Sequence, residues 1–270
     1  MIFSSADLRV SGNSTTTRIS YTNTSGHVLA KDGLTGTWYD EYTNPSQYAA
    51  SPYIFLIRTG TTVSGKAGLG DSWITLNGTP AADIRISDGG RITYTNTSGH
   101  VFAKDWLGGT WYDEYTSPDQ YAASDSLFVI RLGTTIYGKV NLGDSWTALN
   151  GTPATDVRVS GNRITYTDTN GHVWAKDGLT GTWYDEYTSP SQYVASGSML
   201  VIRTGTDVQA KASLSDAWVT INGTAATDIR ANGNRITYTD TNGHVWAKDY
   251  VYGTWYDEYT NPSQYATGAG

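Results

Sequence analysis

Apolar and polar residues alternate with period two along almost the whole chain, in runs of about five residues. Between 156 and 187 four such runs follow one another: DVRVSG, RITYTD, HVWAKD and TWYDEY. The segments SGN, DTNG and DGLTG separate them, and each offers Gly or Asn where a tight turn needs positive φ. Val, Ile, Thr, Tyr and Trp fill the runs, and no stretch keeps a helical apolar stripe. The pattern predicts short antiparallel strands joined by hairpins, four to a unit.

The unit recurs. One long passage appears at 26–48, 99–121, 171–193 and 243–265, a period of 72 or 73 residues. The stretches between align with it without gaps: residues 18–38 match 53–73. The true unit is therefore about 36 residues long and comes in two alternating types, acidic and plain, beginning and ending with the acidic one. The lysines confirm the count. All seven, Lys31, Lys66, Lys104, Lys139, Lys176, Lys211 and Lys248, precede a tryptophan by seven residues: Trp38, Trp73, Trp111, Trp146, Trp183, Trp218 and Trp255. One small sheet cannot bury both faces, whereas seven stacked around an axis can. The expectation is an all-β chain, residues 1–270 forming one seven-bladed β-propeller of four-stranded blades. The N-terminus supplies a first strand at 6–10, and a further first-strand-like segment, QYATG, stands at 264–268. That segment either substitutes in the ring or pairs with another molecule's edge.

Composition narrows the function. Aromatics make up 13% of residues, with 10 Trp and 20 Tyr against 4 Phe, so the rings carry polar handles suited to contact positions. The net charge is −7, and the 18 Lys and Arg are scattered rather than gathered in a basic stripe, which argues against nucleic acid. No cysteine is present, so disulfides and thiolate metal sites are excluded. The opening MIFSSADLRV has neither a basic segment nor a long apolar one, so no signal peptide is expected, and the protein is expected in the cytoplasm or exported by a non-classical route. No run reaches the roughly 20 apolar residues of a membrane helix.

Units reading first strand, SGN, RITYTDTNGHVWAKD and then GTW resemble tectonin-type propeller repeats and the lectins built on them, over nearly the whole chain. The resemblance implies a propeller that binds carbohydrate. The Tyr-Asp-Glu-Tyr after each acidic-unit tryptophan lies outside that pattern, so no particular sugar is implied.

Residues shared by all seven units serve what all blades share, and the Lys and Trp are read as packing, the lysine stem lying over the indole. Residues confined to the acidic units are the candidates for a site. They are His27, Tyr39, Asp40, Glu41 and Tyr42; His100, Tyr112, Asp113, Glu114 and Tyr115; His172, Tyr184, Asp185, Glu186 and Tyr187; and His244, Tyr256, Asp257, Glu258 and Tyr259. Tyrosine faces, carboxylate acceptors and His donors match what paired sugar hydroxyls and a C–H ring face require, with no metal and no cofactor. A competing reading is structural. Each Glu stands where plain units carry Leu76, Leu149 or Ile221, and a carboxylate buried there needs a partner. Arg58, Arg131 and Arg203 of the plain units, or Arg18, Arg91, Arg163 and Arg235, are candidates for it.

Catalysis is not expected. Neighbouring strand residues such as Asp40 and Glu41 point to opposite faces and cannot flank one bond, and no nucleophile elbow, phosphate loop or zinc-protease motif occurs. The expectation is a multivalent lectin with up to four equivalent sites, a monomer or small homo-oligomer. The alternative is a scaffold propeller that binds protein partners.

Overall fold

The structure, a computed structural model, describes residues 5–12, 16–149 and 151–268. It is all-β, with seven four-stranded antiparallel sheets, each using its strands in sequence order: a seven-bladed β-propeller. Among the described residues there is no helix. The blades span 5–43, 47–75, 81–116, 120–148, 158–188, 192–220 and 226–260. Two compact units contain them: Met1–Pro118 with Ala123–Asp125 and Asn141–Ser145, and Asp119–Ala122 with Ser126–Val140 and Trp146–Gly270.

Blade 5 shows how the sequence builds a sheet. Arg158–Ser160, Arg163–Thr167, His172–Asp177 and Tyr184–Thr188 pair in turn, with Val159 opposite Ile164 and Tyr166 opposite Trp174. Ile164, Tyr166, Val173 and Ala175 are fully buried. The Asp168-to-Gly171 turn closes because Asp168 Oδ1 accepts from the backbone amides of Asn170 and His172 at 2.8 and 3.0 Å. Gly171 has φ +83°, and a Cβ there would stand 2.7 Å from Ser189 Oγ. Only glycine meets both demands.

Cores form between consecutive blades of each unit. Val28 and Ala30 of blade 1 meet Tyr48, Phe55 and Ile57 of blade 2; Val173 and Ala175 of blade 5 meet Tyr193, Leu200 and Ile202 of blade 6. The repeated lysine and tryptophan hold these seams, as their presence in every unit suggests. In all seven blades the ammonium lies 4.7–5.3 Å above the indole centroid. The indole N–H reaches back to the preceding blade: Trp111 donates to the Leu76 carbonyl and Trp183 to that of Leu149, both at 2.7 Å. Arginine fastens the same seam. Arg163 grips Asp177 of its own blade at 2.8 and 3.0 Å and bonds the Ser198 carbonyl of blade 6.

The segment at 264–268 is not a strand among the described residues. Tyr265 lies under the Arg230 guanidinium, 4.1 Å from its ring centroid, and its carbonyl accepts from Arg230 at 2.6 Å. Tyr48 under Arg9 and Tyr193 under Arg158 do the same at the start of blades 2 and 6.

Candidate functional site

In every acidic blade the third and fourth strands are out of simple register by one residue. Val28 faces Tyr42, but Leu29 faces Asp40, so Glu41 is the extra residue of a β-bulge. The same shift recurs opposite Val101, Val173 and Val245. The bulge re-sorts Tyr-Asp-Glu-Tyr. Asp40 and Thr43 stand opposite Leu29 and His27, on one face, while Tyr39 and Tyr42 stand opposite Ala30 and Val28, on the other.

The first face is a polar cluster inside a single blade. His27 Nδ1–H donates to Asp40 Oδ2 at 2.7 Å, and Thr43 Oγ1 lies 3.3 Å from the same nitrogen. His100, Asp113 and Thr116 repeat it at 2.8 and 3.2 Å; His172, Asp185 and Thr188 at 2.8 and 3.3 Å; His244, Asp257 and Thr260 at 2.7 and 3.3 Å. All four pairs are open to solvent, with Asp side chains 41–55% and His side chains 34–37% exposed. With Nδ1–H committed to the carboxylate, a neutral ring keeps Nε2 as an acceptor.

An aromatic ring adjoins three of the four. The His100 ring lies 6.1 Å from Phe102, His172 6.5 Å from Trp174 and His244 6.2 Å from Trp246. Blade 1 has Leu29 there. Trp174 and Trp246 are pinned by N–H bonds of 3.1 Å to Asp168 and Asp240. Burial alone would raise the pKa of these two carboxyls, but the indole and backbone N–H donors together hold them below the ordinary value.

The second face belongs to packing. Glu41 and Glu186 are buried and pair with Lys66 and Lys211 of the next blade. The sequence calls for a buried partner, but the arginines it offers are elsewhere. Arg58 and Arg203 bond the carbonyls of Gly60 and Gly205, while Arg18, Arg91, Arg163 and Arg235 hold Asp32, Asp105, Asp177 and Asp249. Tyr42 and Tyr187 meet Trp73 and Trp218 edge-on at 6.1 Å. The Tyr39 and Tyr112 rings, although 45% and 42% exposed, lie over Gly70 and Gly143 of the following segment. Glu114 is buried like Glu41, Tyr115 is half-buried, and Tyr184 is exposed. In blade 7, Tyr256, Glu258 and Tyr259 are exposed.

Thus the structure joins His and Asp of the expected inventory and sends Glu and the second Tyr elsewhere. It adds Thr43, Thr116, Thr188 and Thr260, and the rings of Phe102, Trp174 and Trp246. The threonine signal is present in the sequence, since Thr follows Tyr-Asp-Glu-Tyr in all four units.

Burial pushes the Glu41 and Glu186 carboxyls above the usual 4.5, against the opposing pull of Lys66 and Lys211. A raised folded-state pKa means the native state binds the proton more tightly than the unfolded chain. The contribution to stability is then fully present below pH 4.5 and fades as pH rises through the folded value. The stability difference between wild type and the Glu41→Gln/Glu186→Gln variant should therefore be more favourable to wild type near pH 4 than at pH 7, measured by urea denaturation across that range.

Among the described residues no group of three or more metal-ligating side chains is placed to hold an ion, and no helix is long and apolar enough to cross a membrane.

No family model and no curated protein matches the chain. Solved structures do. The computationally designed Ika8 protein superposes with a TM-score of 0.60 at 15% identity, covering 96% of this chain and 90% of that one. The CRINKLY WD40 ectodomain of the Arabidopsis thaliana receptor kinase ACR4 gives 0.58 at 8% identity, covering 94% and 98%. Human WBSCR16 gives 0.53 at 9% identity, covering 100% and 86%. At these identities the likeness is one of fold.

Proposed function

We propose that this propeller is a multivalent carbohydrate-binding protein whose four sites are the His–Asp–Thr clusters of blades 1, 3, 5 and 7. The observation that carries the reading is the fourfold recurrence of an oriented His–Asp pair on open surface. Exposed pairs of this kind add little to stability, so the fold gives no reason to keep four alike. Each cluster sets an imidazole acceptor, a carboxylate and a hydroxyl side by side, which suits neighbouring hydroxyls of one sugar ring. The adjoining Phe102, Trp174 or Trp246 offers a face to the ring's C–H side. Binding is non-covalent and needs no metal.

A scaffold role is the second reading, and one observation favours it: Glu41 and Tyr42 serve the seam between blades. That accounts for half of the fourfold motif and leaves His, Asp and Thr to be explained.

The test is a broad glycan array followed by calorimetric titration with the free sugars it identifies. No binding to any neutral or amino sugar sinks the proposal. Blade 1 lacks the ring, so Leu29→Trp should strengthen the weakest of the four sites. About 0.5–1.5 kcal/mol is expected from an added aromatic contact, or roughly 2- to 12-fold in affinity.

A further inference from the structure

We propose that Asp168 and Asp240 are positioning residues for sugar binding. Each buries a carboxylate to hold the indole of Trp174 or Trp246 as a fixed platform, so the clusters of blades 5 and 7 bind more tightly than those of blades 1 and 3. This rests on the carbohydrate reading above and divides its four sites into two classes by a residue outside the His–Asp–Thr clusters.

Asp168 and Asp240 are each 3% exposed. A carboxylate at that depth is costly unless donors surround it, and each of these has three. Oδ1 of Asp240 accepts from the amides of Asn242 and His244 at 2.8 and 3.0 Å, as Oδ1 of Asp168 does from Asn170 and His172. Closing this turn needs no charge. Asn96 closes it in blade 3 with its amide oxygen, accepting from Ser98 and His100 at 2.9 Å each, and Asn23 closes it in blade 1 at 2.9 and 3.0 Å. What the carboxylate adds is Oδ2, which takes the indole N–H at 3.1 Å in both blades. The second terminal atom of an asparagine is an amide donor and would meet the indole N–H donor to donor. The two blades with asparagine carry Leu29 and Phe102 instead, side chains that have no N–H.

The indole so held borders the cluster. Trp174 stands opposite Tyr166 on one neighbouring strand and Asp185 on the other, and Trp246 stands opposite Tyr238 and Asp257. Tyr166 and Tyr238 stack with their indoles at 6.4 Å, with interplanar angles of 13° and 16°. His172 and His244 lie at 6.5 and 6.2 Å from the same indoles, and both tryptophans are half-buried. The tyrosine and the aspartate hydrogen bond thus fix the ring before a sugar arrives. Ordering a loose side chain on binding weakens affinity roughly 2- to 12-fold, and Asp168 and Asp240 remove that cost.

The experiment is calorimetric titration of the full chain with the methyl pyranosides of glucose, galactose, mannose, fucose, N-acetylglucosamine and N-acetylgalactosamine. The NMR signal of the Trp174 indole N–H is followed beside it. Asp40→Ala/Asp113→Ala/Asp257→Ala leaves blade 5 with the intact cluster. In that background Asp168→Asn should raise Kd roughly 2- to 12-fold and shift the indole signal, while the turn stays closed as it is in blade 3. Added to Trp174→Phe, the same replacement should leave Kd unchanged, because the aspartate acts through the indole. Asn with Phe is the pair blade 3 already carries. With blade 3 as the intact cluster (Asp40→Ala/Asp185→Ala/Asp257→Ala), Asn96→Asp/Phe102→Trp should bind roughly 2- to 12-fold more tightly than Phe102→Trp alone. A Kd that Asp168→Asn leaves unchanged, or raises equally with Phe at 174, overturns the positioning role and leaves the carbohydrate reading standing. So does a blade 3 cluster that binds as tightly as that of blade 5, or an Asn96→Asp replacement that adds nothing to Phe102→Trp. A wild type that binds none of these sugars overturns both.

Discussion

Lys211→Ala should cost about 3–5 kcal/mol of unfolding free energy at pH 7, because it leaves a carboxylate buried without its counter-charge. Lys211 is 4% exposed, and its ammonium meets a Glu186 side chain that is 1% exposed. The same ammonium donates to the Leu214 carbonyl at 2.7 Å and lies 5.3 Å from the Trp218 centroid. Burial already holds Glu186 above its ordinary pKa with the lysine present. Removing the lysine raises it further, so the loss should shrink as acid protonates Glu186, and that pH dependence identifies the mechanism. A Glu186→Leu/Lys211→Met double variant should recover most of the loss, since well-packed apolar residues replace buried ion pairs at little cost. Plain blades already carry Leu76, Leu149 and Ile221 at the glutamate's place. Lys104 is the contrast. Burial lowers its pKa, and the blade before it offers Leu76 in place of a glutamate, so Lys104→Met should be close to neutral. Guanidinium denaturation of the three variants checks all of this, and a Lys211→Ala loss below about 1 kcal/mol would overturn it.

The contrast also separates two kinds of seam. A lysine is common to all seven units, and a buried glutamate meets it at Lys66 and Lys211, each in a plain blade that follows an acidic blade of the same compact unit. The sequence displays both halves of that pair without joining them. Blade count, strand runs and the Lys–Trp stack are local patterns, and period-two alternation with Gly and Asn turns makes them readable. Which lysine meets which glutamate depends on how two sheets are staggered, and no single unit encodes that. The same limit misassigns the candidate site. Strict alternation puts Tyr39 with Glu41 and Asp40 with Tyr42. The bulge at Glu41 instead puts Tyr39 with Tyr42 and turns Asp40 towards His27. Nothing in the Tyr-Asp-Glu-Tyr letters marks the bulge. The constant spacing of 13 residues from His to Asp, together with the invariant Thr, is the available sign.

Replacing all four aspartates, Asp40, Asp113, Asp185 and Asp257, by Ala should abolish carbohydrate binding while the melting temperature stays within a few degrees of wild type. Each carboxylate is a charged acceptor worth about 1.5–3 kcal/mol to a ligand hydroxyl, and its loss also releases the histidine ring. A monovalent sugar contact of about 1 mM amounts to only about 4 kcal/mol, so each site would fall below detection. The four side chains are 41–55% exposed, and their histidine bonds lie in solvent, so the fold loses little. Single replacements separate affinity from avidity. Asp185→Ala should reduce the titrated stoichiometry by one site and leave the remaining sites unchanged. On a dense glycan surface, where rigid multivalency adds about 10²- to 10⁴-fold, successive replacements should lower retention far more steeply than the site count falls. Surface plasmon resonance at high and low glycan density, beside calorimetry, distinguishes the two. Retention that falls only in proportion to site number would mean the four clusters never engage one surface together, and the reason for keeping them alike would lie elsewhere.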